Sequence, residues 1–213
     1  MNNTDKALMR LHSMGDWLEL KSFDYKTILK DIEIFKDDWK PYNLKKPNNR
    51  WGLSITSLDG ELSGIPDLDS LYEYNIRNNT DIKNQDINVF TEVYNNSTKL
   101  REMIEPWKPW LGRCHFLKLN AGGFFPEHYD INKLDFTFDE IRLIGFLKNV
   151  SSHTMKFLYE DTVLKVKEGN LFWFNANKRH SVFSMSDNCI MVVLCLKFDQ
   201  GLFEQVIKNY RLA

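Results

Sequence analysis

The stretch GGFFPEHYDIN, Gly122 to Asn132, sets a histidine two residues before an aspartate in a chain that has only five histidines. On an extended strand, residues i and i+2 point to one face, so the His128 imidazole and the Asp130 carboxylate would converge on a single point. That is two-thirds of a facial metal site. A third ligand has to arrive from elsewhere, and NANKRHSVFS supplies His180 roughly fifty residues later, at the head of an apolar run. Two neutral imidazoles and one hard carboxylate suit Fe(II) without the thiolates that favour zinc or a cluster. They would occupy one face of an octahedral ion and leave the remaining positions open for chemistry. A lone His-x-Asp is common by chance. Here it carries more weight because a Gly-Gly turn leads into it, and because EGNLFWFN places another glycine turn and apolar strand just before His180.

The elements that must hold these ligands are short strands. From Arg113 onward, RCHFLKL, IRLIGFL, HTMKFLY, TVLKVK, NLFWFN, HSVFSM and CIMVVLCLKF are aromatic or β-branched runs separated by NAGG, NVSS, EDT, EGN and SDN. That punctuation predicts a compact sandwich or barrel, mainly β. Helices gathered ahead of the strands argue against parallel α/β winding and for a jelly roll. In DYKTILKDIEIFKDDWK, Tyr25, Ile28, Leu29, Ile32, Phe35 and Trp39 fall on one side of a helix. RWGLSITS alternates Trp51, Leu53 and Ile55 like a strand, and residues 57–96 read as polar loops with short helices. A second helix is expected from Ser97, as its cap, to Glu105, with Leu100, Met103 and Ile104 as its apolar stripe and Pro106 as its stop. The expected organisation is one globular unit: residues 1–112 as a helical and loop elaboration, and residues 113–213 as the jelly-roll core.

With LKLNAGGFFPEHYD, EIRLIGFL and VKEGNLFWFNANKRHSVFS occurring in that order, residues 113–198 resemble the Fe(II)- and 2-oxoglutarate-dependent oxygenases. The likeness is to the aspartyl/asparaginyl β-hydroxylase-like branch, which includes proline hydroxylases. The resemblance implies a double-stranded β-helix, cupin-like core with iron held by His128, Asp130 and His180. It also implies 2-oxoglutarate as cosubstrate with O2, and hydroxylation of an amino acid, small metabolite or peptide residue with release of succinate and CO2. A metal-binding cupin-like isomerase, or a small-molecule-binding protein that does not use 2-oxoglutarate, would keep the same triad.

The far carboxylate of 2-oxoglutarate needs a basic partner to offset its desolvation. The resemblance places an arginine about ten residues beyond the second metal histidine, yet Cys189 and Ile190 stand there. Arg142, opening the IRLIGFL run, is the leading substitute, with Lys118 and Lys197 behind it. His115 alternates with Arg113 and Leu117, which fits either a hydrogen-bonded barrel histidine or one lining the site. Trp107 and Trp110 read as packing beneath the barrel, Asn175 and Asn177 as turn formers, His153 as exposed, and His12 as outside the barrel.

Composition bounds the rest. With 43% hydrophobic residues and 14% aromatics, 213 residues can bury one substantial core. A balance of 28 basic and 29 acidic side chains gives no footprint for nucleic acid or an anionic membrane. The first residues carry no signal-peptide pattern and no window is apolar enough to span a bilayer, so a cytoplasmic protein is expected. Cys114, Cys189 and Cys195 are odd in number and unclustered, which argues for buried thiols rather than disulfides. The sequence assigns no oligomeric state.

Overall fold

The computed structural model describes residues 3–43, 49–130 and 140–211; Ile131 and Asn132, which close the GGFFPEHYDIN stretch, lie outside these. The chain opens with α1 (Asn3–Ser13), β1 (Trp17–Ser22), α2 (Tyr25–Asp31), β2 (Lys40–Pro41), β3 (Arg50–Ser54) and β4 (Thr56–Ser57). It continues with α3 (Leu71–Asn78), β5 (Val89–Phe90), α4 (Glu92–Asn96) and α5 (Thr98–Ile104). The β-rich half holds β6 (Leu111–Leu119), β7 (Phe124–His128), β8 (Glu140–Lys148), β9 (Met155–Tyr159), β10 (Thr162–Val163), β11 (Asn170–Phe174), β12 (His180–Ser184) and β13 (Cys189–Lys197), and α6 (Gln200–Asn209) follows it.

These strands form two facing antiparallel sheets. The larger runs β1-β11-β8-β13-β6-β3-β2 and the smaller β10-β9-β12-β7, with β4-β5 paired separately. Between β6 and β13 the chain passes repeatedly from one sheet to the other, which is the double-stranded β-helix, or jelly roll, that the strand punctuation predicts. The first crossing depends on the NAGG turn. Gly122 takes φ +77°, open only to glycine at little cost. Its N–H donates to the Ser184 carbonyl at 2.9 Å, which aligns the start of β7 beside β12.

Strands covered on both faces lose the alternation of a half-exposed sheet. Accordingly β6 and β13 are buried almost throughout, and their opposite faces serve different cores. On the outer face, Cys114, Phe116, Val192 and Leu194 pack with Ile28, Leu100, Trp107, Leu202 and Val206 of the helical layer. On the inner face, Leu117, Leu119, Cys189 and Met191 meet Phe157, Tyr159 and Val182 of the smaller sheet. Trp17 of β1 packs against this inner core, stacked on Phe172 at 4.6 Å and beside Phe146, Phe157 and Phe174.

The helix expected from Tyr25 to Trp39 is shorter than its apolar stripe. It stops at Asp31 and tightens into a 3-10 turn over Ile32–Phe35, which still delivers Ile32, Phe35 and Trp39 to the outer core. Ser97 caps α5 as expected, its Oγ accepting the Leu100 N–H at 3.2 Å. TVLKVK contributes only the two residues of β10. The sequence expectation is exceeded by α1, the edge strand β1, the short strands β2 and β5, and α6, whose Asp199 cap accepts the Leu202 N–H at 2.8 Å. No helix among the described residues is long and apolar enough to cross a membrane.

Candidate metal centre

β7 ends on His128 and β12 begins on His180, and the two residues are Cα partners in the ladder. Directly opposed residues in a sheet point to the same face, so the two rings meet with centroids 4.2 Å apart. Asp130 lies two residues past the end of β7 rather than within it. Its N–H nevertheless donates to the carbonyl of Ala176, in the turn between β11 and β12, at 2.9 Å, and the carboxylate stays on the histidines' side. Oδ1 of Asp130 then stands 3.2 Å from Nε2 of His128 and 3.8 Å from Nε2 of His180. One ligand atom from each residue falls within 4.8 Å of the others. Ligands held about 2.1 Å from an ion in neighbouring octahedral positions lie about 3 Å apart, so this donor set fits an ion bound through three cis contacts.

The tautomers are set by the backbone. Nδ1 of His128 meets the Pro126 carbonyl at 2.7 Å and Nδ1 of His180 meets the Lys178 carbonyl at 2.9 Å. A carbonyl can only accept, so each Nδ1 carries the proton and each Nε2 offers its lone pair to the same point. His180 is held further by Phe174 edge-on at 5.3 Å and by Phe157, whose ring lies nearly parallel at 6.4 Å.

Electrostatics reinforce this geometry. Burial acts to keep Asp130 protonated, but the Arg142 guanidinium and the two imidazoles outweigh it and hold the carboxyl well below the usual range. Burial likewise opposes charge on Arg142, and Asp130 reverses that, pushing its pKa up. Burial depresses His180 below an ordinary imidazole, which favours the neutral, ligating form. At His128 burial is outweighed by Asp130, and the net shift is upward.

The predicted basic residues divide sharply. Arg142 sits on the inner face of β8 and its NH1 donates to Oδ2 of Asp130, the oxygen turned away from the histidines. Lys118 shares the outer face of β6 with Phe116, and its Nζ lies 4.3 Å over the Trp39 ring, across the sheet from the triad. Strand parity removes it from the site. Lys197 ends β13 opposite Glu140 and is exposed, also away from the ligands. Cys189 is buried, with its Sγ 2.9 Å from the Asn149 carbonyl and 3.0 Å from Ser184 Oγ, and Ile190 turns to the outer core. No cation stands at those two positions.

His115 is on the inner face, buried, with its Nδ1 lacking a hydrogen-bond partner among the described residues. Burial, with Arg113 and Arg142 nearby, holds its pKa well below the ordinary value. Tyr42, for which the sequence carries no signal, packs 5.5 Å from both His115 and Phe125, and Phe125 lies 6.5 Å from His128. These rings enclose the inner side of the centre, and Arg50 stacks on Phe125 at 4.4 Å. Asn175 and Asn177 do form a turn: Asn175 Oδ1 accepts the Asn177 N–H at 3.2 Å, while its Nδ2 donates to Asp16 at 3.0 Å. Trp107 is buried in the outer core and Trp110 Nε1 donates to Asp199 at 2.8 Å, so both belong to packing. His12 lies edge-on to Trp173 at 5.5 Å in the helical layer, and His153 is exposed in its turn.

No family model and no curated protein sequence matches the chain. Among solved structures it is similar to a 2OG-Fe(II) oxygenase family oxidoreductase from Burkholderia pseudomallei, at 12% identity and TM-score 0.50, covering 92% of this chain and 90% of that one. A Pseudomonas putida prolyl-4-hydroxylase gives 11% identity and TM-score 0.49 over 92% of this chain and 99% of the other. A viral collagen prolyl hydroxylase from Paramecium Bursaria Chlorella virus-1 gives 11% and 0.47 over 88% and 98%. At such identities the likeness concerns the fold alone, which this chain shares with the Burkholderia oxidoreductase across nearly its whole length.

Proposed function

We propose that the protein is a non-haem Fe(II)- and 2-oxoglutarate-dependent oxygenase that hydroxylates an amino acid, a small metabolite or a peptide residue. The observation that carries this is the convergence of two Nε2 lone pairs and one carboxylate oxygen, each fixed by its own partner, on one point of a double-stranded β-helix. Bound there, Fe(II) would supply oxidative decarboxylation of 2-oxoglutarate by O2, coupled to hydroxylation of a C–H bond. His128, Asp130 and His180 would hold the metal. Phe125, Tyr42 and Val193, the last paired with His115 of β6, would wall the inner side against water, and the half-exposed Tyr129 would flank the outer approach. The order of LKLNAGGFFPEHYD, EIRLIGFL and VKEGNLFWFNANKRHSVFS supports placing it with the aspartyl/asparaginyl β-hydroxylase-like, proline-hydroxylase-like branch.

One observation favours a second reading. Neither Cys189 nor Ile190 offers a cation, and Arg142 is engaged by Asp130. A cupin-like metal protein that needs no 2-oxoglutarate would tolerate both facts. Calorimetric titration of the Mn(II)-loaded protein with 2-oxoglutarate separates the two. The oxygenase is expected to bind it and, with Fe(II) and O2, to form succinate slowly even without a hydroxylatable substrate. Mn(II) binding with no response to 2-oxoglutarate would transfer the assignment to the cupin-like alternative.

A further inference from the structure

A carboxylate beside an octahedral ion can bind through one oxygen or both, and the choice changes what the ion can do. With His128, His180 and one oxygen of Asp130 as ligands, about three positions stay open; a chelating carboxylate would leave about two. A 2-oxo acid that chelates needs two of them, and O2 needs another. Something must therefore keep the second oxygen of Asp130 off the metal.

The geometry points to Arg142 as that positioning residue: by holding Oδ2 of Asp130 it restricts the carboxylate to single-oxygen coordination and preserves the third open position. Oδ1 faces both Nε2 atoms, at 3.2 and 3.8 Å, while Oδ2 faces NH1 of Arg142. The two oxygens thus have different partners before any ion binds. Arg142 is suited to this because its base does not move. It lies on β8, paired on one side with β11 at Phe174 and on the other with β13 at Cys195, so both edges of its strand are fixed in the larger sheet. Its guanidinium and the Asp130 carboxylate are 19% and 13% exposed, too enclosed for water to take over the contact readily. A guanidinium also cannot give up its charge at any working pH, so the hold is constant.

The inference rests on the metal reading of the triad and not on the identity of the second ligand. It departs from the sequence expectation that Arg142 anchors the far carboxylate of 2-oxoglutarate, and the two roles separate experimentally. The first readout is the number of waters on bound Mn(II), measured by water-proton relaxation without any cosubstrate. Arg142→Met is expected to lower it by about one relative to wild type, with Arg142→Lys restoring it. The second is calorimetric titration of the Mn(II)-loaded proteins with 2-oxoglutarate and with oxalate, a chelator without a distant carboxylate. Two open positions still admit a chelator, so Arg142→Met is expected to bind both with little change in affinity while the chelated Mn(II) holds about one water fewer than in wild type, and Arg142→Lys is expected to restore that water. An unchanged water number, or weakening confined to 2-oxoglutarate, would overturn the inference and return Arg142 to an anchoring role. Failure of wild type to bind Mn(II), or binding insensitive to His128→Ala, would instead overturn the metal reading, and this inference with it. If Arg142→Met does not fold, infrared spectroscopy of wild type carrying carboxylate-labelled aspartate reads the same property. Single-oxygen coordination widens the separation of the label's two carboxylate stretches on Mn(II) addition, and a narrowing overturns the inference.

Discussion

Asp130→Ala in the metal-free protein is expected to be strongly destabilising, although the residue belongs to the candidate metal triad. The pair it forms with Arg142 is enclosed, with side chains 13% and 19% exposed. Two unit charges about 3 Å apart attract by about 5 kcal/mol at an effective dielectric of about 20. The alanine variant loses this attraction while the guanidinium stays desolvated, and breaking an enclosed pair from one side costs about 3–5 kcal/mol. Arg142 retains some access to water, so the lower end, about 3 kcal/mol, is the expected value. For a chain of this length that corresponds to a Tm lower by about 6–12 °C. Replacing both partners, as Asp130→Ala with Arg142→Leu, leaves no stranded charge and is expected to recover about 2 kcal/mol or more of the loss. Urea unfolding of the four proteins at neutral pH with EDTA measures the coupling directly. A single variant within about 0.5 kcal/mol of wild type, or strict additivity in the double, would refute the pairing on which the site's electrostatics rest. The depressed pKa of Asp130 gives the same contact an acid limb: its stabilisation is present above the unfolded-state value of about 3.9 and is lost as pH falls through the lower folded value.

Mn(II) or Fe(II) is expected to raise the Tm of wild type, 2-oxoglutarate to raise it further, and His128→Ala or His180→Ala to abolish both responses in a thermal-shift measurement. Metal-free stability is expected to fall as pH drops below about 6.5, because the folded state withholds protons from His12, His115 and His180, whose pKa values are lowered, and these together outweigh His128, whose raised pKa acts in the opposite sense. His115→Asn should remove up to about 1.4 kcal/mol per pH unit from that slope, read by urea unfolding between pH 5 and 7; an unaltered slope would mean that His115 is not kept neutral. Gly145→Ala is expected to cost about 1–3 kcal/mol, because a Cβ there would stand 2.7 Å from Val192 Cγ1 and 3.0 Å from Phe23 Cζ. A Gly145→Ala protein as stable as wild type would show that the outer core gives way more easily than the contacts imply.

The contrast between the ligands and their surroundings shows what a sequence of this kind can carry. His128, Asp130 and His180 were legible as a candidate set because i and i+2 share one face of an extended segment and because glycine turns lead toward both histidines, although Asp130 lies two residues beyond β7 and is placed by its bond to Ala176. The jelly-roll class followed from the same local punctuation, whose apolar runs marked every strand from β6 to β13 except β7. Lys118 shows where local reasoning stops: its side of β6 depends on a register fixed only when β13 and β3 pair with that strand, and the register turns it toward Trp39. Tyr42 was invisible for a related reason, since it reaches the site through the short pairing of β2 with β3, far from the triad in sequence. For α6 the signals were present, an Asp199 cap followed by Leu202, Phe203 and Val206, but a helix after the last strand adds nothing to a reading organised around the barrel. Arg142 is the most instructive case. Its type and its strand were readable, while its partner was not, because two cationic roles 12 residues from Asp130 differ only in the direction of one side chain. That direction decides whether the arginine meets the far end of a cosubstrate or the second oxygen of a ligand. Parity along β8 puts Arg142 on the inner face with Ile144 and Phe146, and the bond from Asp130 to Ala176 brings the carboxylate over it. Two facts of pairing and packing, neither visible without β7, β8 and β12 in facing sheets, thus bring the Arg142 guanidinium onto Oδ2 of Asp130.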